Sequence, residues 1–293
     1  MGKLDAIGRG TFHHIAPQDA VRPTNRELRW LKHIERHGPQ SSAYLHELTR
    51  DTHRCKDTAL RQMQNLRAGG FLFLPSQQRL TERAEFNPYI YDLTPATKRW
   101  LFDQGLAEPT VRPTGHWWHA FQVACVTSSI DIAAARDGVR YIPAHEILAR
   151  NGAGLGIPTN STTLIPDQLF ALDYGGSYRA FVLEVDRGTE PMASAASRKS
   201  IAASIDSYLE AQTADKLRLT YGLRTAVIIL WVFTARARAE FALQCLLKAP
   251  ASLRAAHLVM VATDRLPERG VPDGYFRSPW QRSGLQPVTL SDR

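Results

Sequence analysis

The sequence is poor in cysteine, methionine and lysine, and it has no long apolar run. Its three cysteines (Cys55, Cys125 and Cys245) lie far apart in 293 residues, which argues against a disulfide framework or a clustered zinc site. The best apolar stretch, 226–233, is strand-sized and well short of the ~20 residues that span a bilayer, so no membrane insertion is expected. Residues 1–10 lack the apolar core of a secretory signal, which predicts a cytoplasmic protein. Only seven of the 36 cations are lysines; the rest are arginines. Against these stand 28 acids, giving a net charge of +8 and a pI near 9.6. Arginine forks onto phosphate, so the balance points to an anionic polymer, with DNA as the expected partner. Genomic base composition accounts for part of the Arg:Lys ratio, but it leaves the net sign unexplained. A hydrophobic share of 44% and a charged share of 22% exclude wholesale disorder and collagen-like or coiled-coil character.

Residues 1–22 have no periodicity and read as a flexible lead-in. Thr24 or Asn25 can cap a helix over 26–37, where Leu28, Leu31 and Ile34 recur on one face. Gly38-Pro39 ends it, Ser41 or Ser42 opens a short helix to Leu48, and a third helix covers 56–67 with Leu60, Met63 and Leu66 inward. After Gly69-Gly70 the period drops to two, giving strands over 71–74 and 89–93 joined by a polar stretch that holds Arg79 and Arg83. Three short helices followed by a hairpin is the order of a winged helix-turn-helix, here spanning 23–107. Residues 108–115, with two prolines, read as a linker. The second half, 116–265, is α/β: a long helix over 116–136, strands over 164–172 and 178–186, a helix over 196–220, a strand over 225–233, a helix over 235–247 and a strand over 257–262. The stretch from 266 to 293 reads as an irregular tail. Residues 1–115 carry a net +5 and 116–293 a net +3, so the excess leans toward the first half.

The sharpest chemical signal lies around Gly175-Gly176. A two-residue Gly-Gly loop is a strong hairpin signal because both positions accept positive φ. It pairs Tyr174 with Ser177, and the same register carried outward sets Asp167 opposite Glu184, with Asp186 on the Glu184 face. Three carboxylates at the end of an apolar ribbon repel one another and resist desolvation. A divalent oxygen-seeking ion, Mg²⁺ or Mn²⁺, would neutralise them, polarise a phosphate and acidify a bound water. The competing assignment is local, with Asp186 paired to Arg187 or Arg198 and Asp167 capping the turn after Pro166.

The run Ile165-Pro166-Asp167, followed by Phe181-Val182-Leu183-Glu184-Val185-Asp186-Arg187-Gly188-Thr189-Glu190, resembles the signature of the replication-relaxation family, which includes the C-class mobilization relaxases of plasmids and integrative elements. The resemblance covers roughly 24–265. It implies a restriction-endonuclease-like PD-(D/E)XK domain after the winged helix, an α+β and α/β chain overall. It implies Asp167 as the Asp of the PD element and Glu184 as the acid of the second element. Asp186 then sits where the nuclease lysine normally stands. Lys199, expected on the following helix, is the candidate migrated lysine, and a solvated helix-face lysine is the competing reading. Tyr208 is a candidate support in the same helix. Glu146 is a candidate additional acid, with His145 beside it.

His116 and His119 share a helix face, which suits a metal or phosphate contact or simply helix-start packing. Tyr174 and Tyr178 read as surface aromatics, and no tyrosine is singled out as a nucleophile. Arg236, Arg238 and Glu240 read as a solvated helix start. For DNA contact the outward side of the third helix offers Arg54, Lys56, Arg61, Gln62 and Asn65, with Arg79 and Arg83 in the wing. The reading is a metal-dependent DNA strand-nicking protein of plasmid or integrative-element mobilization, binding a duplex site and a single strand alongside relaxosome proteins. Two alternatives stand: a non-catalytic relaxosome accessory or replication-control factor on a degenerate nuclease fold, and a duplex-cutting repair or restriction nuclease.

Overall fold

The structure is a computed structural model that describes residues 15–52, 54–79, 89–111, 113, 115–160, 163–194, 199–262 and 274–292. Its contacts divide the chain into two compact units. One comprises the residues up to Thr110 with His116–Ser128; the other comprises Val111–Gly115 and the described residues from Ser129 onward.

In the first unit α1 (Asn25–His37) begins at a full capping box. Thr24 accepts the Glu27 N–H and Glu27 reaches back to the Thr24 N–H at 2.7 Å. Next come β1 (Gln40–Ser41), α2 (Ser42–Leu48, capped by Ser41) and α3 (Lys56–Ala68). Then follow β2 (Leu72–Phe73), a 3₁₀ turn over Ser76–Arg79, β3 (Ile90–Leu93) and α4 (Pro95–Asp103). The three strands form an antiparallel sheet in the order β1-β3-β2. Trp30, Leu31, Ile34, Leu45, Met63 and Leu66 make its core with Leu72, Tyr91 and Leu93. Trp30 is anchored there by its indole N–H, which donates to the Leu45 carbonyl at 2.8 Å. Helix α5 (Trp117–Arg136) belongs with this unit as far as Ser128.

The second unit is built on a seven-stranded mixed sheet. Its strands are β4 (Arg140–Pro143), β7 (Gln168–Asp173), β8 (Tyr178–Asp186), β9 (Val227–Phe233), β10 (His257–Val261), β11 (Trp280–Arg282) and β12 (Leu285–Val288). They lie in the order β12-β11-β10-β9-β8-β7-β4. A separate two-stranded ribbon pairs β5 (Ile157–Pro158) with β6 (Thr163–Leu164), and α6 (Ala144–Leu148) follows β4. Strands β8, β9 and β10 are parallel. Parallel neighbours need crossover connections, supplied by α7 (Ile201–Thr213) with α8 (Lys216–Thr220), and by α9 (Arg236–Leu247) with α10 (Ala251–Arg254). Ile201, Ile205, Tyr208 and Ala211 of α7 and Ala239, Ala242 and Leu246 of α9 pack with Leu169, Val182, Ile229, Trp231 and Phe233 of the sheet.

Three expected elements differ. The strand expected from 164 begins at Gln168, because Pro166 has no N–H for the ladder, and Leu164 belongs to the separate ribbon. The helix expected over 196–220 starts at Ile201, where Ser200 caps the Ala203 N–H, and breaks at Asp215, whose φ is 54°. The tail expected to be irregular instead forms α11 (Gly274–Arg277) and the β11–β12 hairpin. Phe276 and Trp280 are fully buried, and sequestering a large apolar side chain, worth ~1.5–3 kcal/mol, favours order in a segment rich in Gly and Pro. Gly284, at φ 66°, closes the hairpin.

Candidate functional site

The Gly175-Gly176 turn adopts positive φ at both glycines (81° and 117°), and the ribbon it closes pairs from Asp173↔Tyr178 to Gln168↔Leu183. The ladder ends there in an altered form. The Asp167 N–H donates to the Leu183 carbonyl at 3.0 Å, and one Asp167 carboxylate oxygen accepts the Val185 N–H at 2.8 Å. Asp167 alternates with Leu169 and Ala171, and Glu184 with Ala180 and Val182, all of them on the helix-covered face. The two acids therefore come together at the end of the ribbon, and both are buried, at 7% and 9% exposure.

Burial pushes the Glu184 carboxyl up to about 8, and the neighbouring Asp167 charge pushes the same way. Lys199 and a hydrogen bond from Tyr208 oppose the rise. The Tyr208 hydroxyl donates to Glu184 Oε1 at 2.6 Å, and burial together with the Glu184 charge holds that phenol far above its ordinary value. Lys199 lies just before α7 rather than within it. Burial pulls its ammonium down, but Glu184, Glu190 and Asp167 outweigh that and keep it above the usual lysine value. Its Nζ stands 3.1 Å from Glu190 Oε1.

Asp186 is held differently. Both its oxygens accept from Arg238, at 2.5 and 2.6 Å, and the same guanidinium donates to the Glu190 carbonyl at 2.7 Å. Arg238 is thus a half-buried anchor rather than a solvated helix start, whereas Arg236 and Glu240 do pair in the open at 2.8 Å. The alternation of charge along α9 carries no hint of this, because its partner lies 52 residues earlier.

Behind the acids runs a second polar chain. Trp231 packs edge-on against Tyr208, with ring centroids 5.3 Å apart, and its indole N–H donates to His257 Nδ1 at 3.0 Å. Because an indole can only donate, Nδ1 is the acceptor and the ring proton sits on Nε2, facing Gln212 Oε1 at 2.7 Å. Burial pushes His257 down to about 3, so it stays neutral. Tyr208 and Gln212 lie one turn apart on α7, and that spacing was the available sequence signal for the pair.

The remaining candidates lie elsewhere. Glu146 is engaged by Arg140 at 2.5 Å on the surface. His116, in the first unit, accepts the Trp118 N–H at the start of α5, and its carbonyl accepts the His119 N–H. Tyr174 is buried, not a surface aromatic, and its hydroxyl donates to the Leu290 carbonyl at 2.7 Å. Tyr221 donates to the Leu155 carbonyl. On α3 and just before it, Arg54, Lys56, Arg61 and Asn65 are exposed and Gln62 is half-buried, opposite the inward Ala59, Met63 and Leu66. The Arg79 side chain and Arg83 lie outside the described residues.

The arrangement defines a mixed α/β protein with a buried carboxylate pair set at the end of an antiparallel ribbon within a mixed sheet. The sequence profile of the replication-relaxation family matches residues 31–227, well over half of the chain and including Asp167, Glu184, Asp186 and Lys199. The chain belongs to the replication-relaxation family. No curated protein and no solved structure matches it. Among the described residues no helix is long and apolar enough to cross a membrane.

Proposed function

We propose that the chain is a DNA-binding protein that nicks one strand with a divalent metal, in the manner of a relaxase serving plasmid or integrative-element mobilization. In this reading α1 to α4 with the small sheet act as a winged helix that finds the site. The seven-stranded unit acts as a PD-(D/E)XK nuclease domain. The observation that carries the reading is the buried pair Asp167 and Glu184 beside Lys199.

The donor chemistry fits a metal. Two carboxylates share a desolvated place, and the proton held by Glu184 up to about 8 marks a site that favours added positive charge. Asp167 and Glu184 would hold Mg²⁺ or Mn²⁺, ions that take oxygen ligands and keep several waters. Asp186, expected as a third ligand, has both oxygens committed to Arg238. A bound ion would supply Lewis-acid polarisation of the phosphate and a more acidic water. Tyr208 fixes one Glu184 oxygen, and Lys199 places a fixed cation where negative charge develops on a scissile phosphate. With Tyr174, Tyr208 and Tyr221 buried and their hydroxyls engaged, water is the favoured nucleophile. On α3, Arg61 and Asn65 would face base edges and Lys56 phosphate.

The neutralisation of Asp186 by Arg238, at the position of the nuclease lysine, favours a second reading as a non-catalytic DNA-binding accessory. One experiment separates these. A supercoiled plasmid carrying the DNA that flanks this chain's own coding sequence is incubated with protein and Mn²⁺. Nicked circles that vanish in Asp167→Ala support the first reading. Binding without nicking supports the second, and linear product supports a duplex-cutting nuclease.

A further inference from the structure

We propose that Asp186 and Arg238 are positioning residues that pin residues 187–192 and thereby, through the Glu190 side chain, deliver Lys199 to the carboxylate pair, rather than belonging to the metal-binding set. The inference rests on the nicking reading only for what Lys199 does once delivered.

The contacts run in one unbroken series. Asp186, the last residue of β8, grips Arg238 in the first turn of α9 through two short hydrogen bonds of 2.5 and 2.6 Å. A forked guanidinium on a carboxylate fixes orientation as well as distance. The Nη2 that faces Asp186 also donates to the Glu190 carbonyl at 2.7 Å, so the chain leaving β8 is tied to α9 four residues past the strand end. The next two carbonyls are used as well. Pro191 accepts the Ile201 N–H at 3.2 Å and Met192 accepts the Ala202 N–H at 3.0 Å, which places this segment across the start of α7. These bonds satisfy helix-terminal N–H groups that have no partner within the helix. The Glu190 side chain then takes Lys199 Nζ at 3.1 Å, two residues before α7 begins. Asp186 is 9% and Arg238 14% exposed in their side chains, so the pair sits in a poorly screened place where losing one member disturbs the other. The charges acting on Glu184 are Asp167, Lys199 and Glu190. Asp186 thus does for the segment what a lysine at its position would do for a phosphate directly: it determines where the cation stands.

The test uses the full chain and the variants Asp186→Asn, Arg238→Ala, Glu190→Gln and Asp167→Ala. Three measurements are made on each. The first is amide hydrogen exchange at Ile201 and Ala202. Asp186→Asn and Arg238→Ala should each exchange at least tenfold faster than wild type there, and a chain carrying both substitutions no faster than the quicker single. Asp167→Ala should leave these amides unchanged. The second is Mn²⁺ binding by calorimetry, which Asp167→Ala should abolish while Asp186→Asn and Arg238→Ala stay within about threefold of wild type. The third is nicking at saturating plasmid, where both variants should lose at least tenfold in kcat with little change in the plasmid concentration at half-rate. Unchanged exchange in both variants, or loss of Mn²⁺ binding in Asp186→Asn equal to that in Asp167→Ala, overturns the proposal. Should Arg238→Ala fail to fold, Glu190→Gln keeps the backbone anchor and removes only the Lys199 pair. It should lower kcat with wild-type exchange, and wild-type kcat would refute the delivery of Lys199. If the wild-type chain binds plasmid without nicking it, the functional reading fails, while the exchange measurement still decides whether Asp186 and Arg238 pin the segment.

Discussion

Replacing Glu184 with glutamine turns the electrostatics of the site into a stability measurement. The carboxyl has an ordinary value near 4.5 and is pushed up to about 8 by burial and by Asp167. Between those values the folded state holds a proton that the unfolded chain has released. Stability is therefore full below pH 4.5 and falls as pH rises, by ~1.4 kcal/mol per unit, ending near pH 8 with a total loss of at most ~5 kcal/mol. Glutamine has the shape of the protonated acid, and its amide oxygen can accept the Tyr208 hydroxyl. Glu184→Gln should match wild type within ~1 kcal/mol at pH 5 and exceed it by ~3–5 kcal/mol at pH 8.5. Urea unfolding followed by tryptophan fluorescence, in EDTA and at half-unit steps, reads this directly. Adding Mn²⁺ at pH 8.5 should restore wild type toward the variant and leave the variant unmoved, since a ligand stabilises only what it binds. A difference between the two proteins that stays constant from pH 5 to 8.5 would refute the account of Glu184 as a buried, protonated acid.

Other expectations follow from single residues. Tyr208→Phe removes the hydrogen bond that favours ionised Glu184, so the same urea series should show the loss of stability continuing to higher pH; an unchanged end point counts against the bond. Trp280→Ala should cost ~3–5 kcal/mol, the range for emptying a core aromatic site, and a loss under ~1 kcal/mol would mean that the C-terminal hairpin is not anchored by its indole. Thr24→Ala should cost ~1 kcal/mol through the lost cap of α1, read from the thermal melt of the first unit. Lys56→Ala should weaken plasmid binding and lower the slope of log affinity against log salt by about one through the lost phosphate contact; equal slopes would remove this end of α3 from the DNA interface.

What could be read from sequence was local or strictly periodic. Thr24 or Asn25 marked the start of α1, where Thr24 takes the cap, and the Gly175-Gly176 turn set a register that propagates through β7 and β8 without slipping. That register was enough to bring Asp167 and Glu184 together, because a pleat leaves no freedom about which face a residue takes. The Arg238 anchor was illegible, since its partner comes from another element 52 residues away and α9 shows the same Arg-Ala alternation at the exposed Arg236. Lys199 falls two residues before α7 rather than in the first turn of a helix read from Ala196, because Ser200 takes the cap. The C-terminal strands were hidden by glycine and proline, although Ser283-Gly284 between Trp280 and Val288 is itself a two-residue hairpin signal.

Those last strands also decide how the large sheet meets its surroundings. An outermost strand usually offers free backbone groups on which a stranger's strand can grow, the route to runaway stacking. Here the rim is β12, only four residues long, and it carries Pro287, which has no N–H to offer. The hairpin thus finishes the sheet on that side, letting the protein reach high local concentration without seeding fibres from that edge.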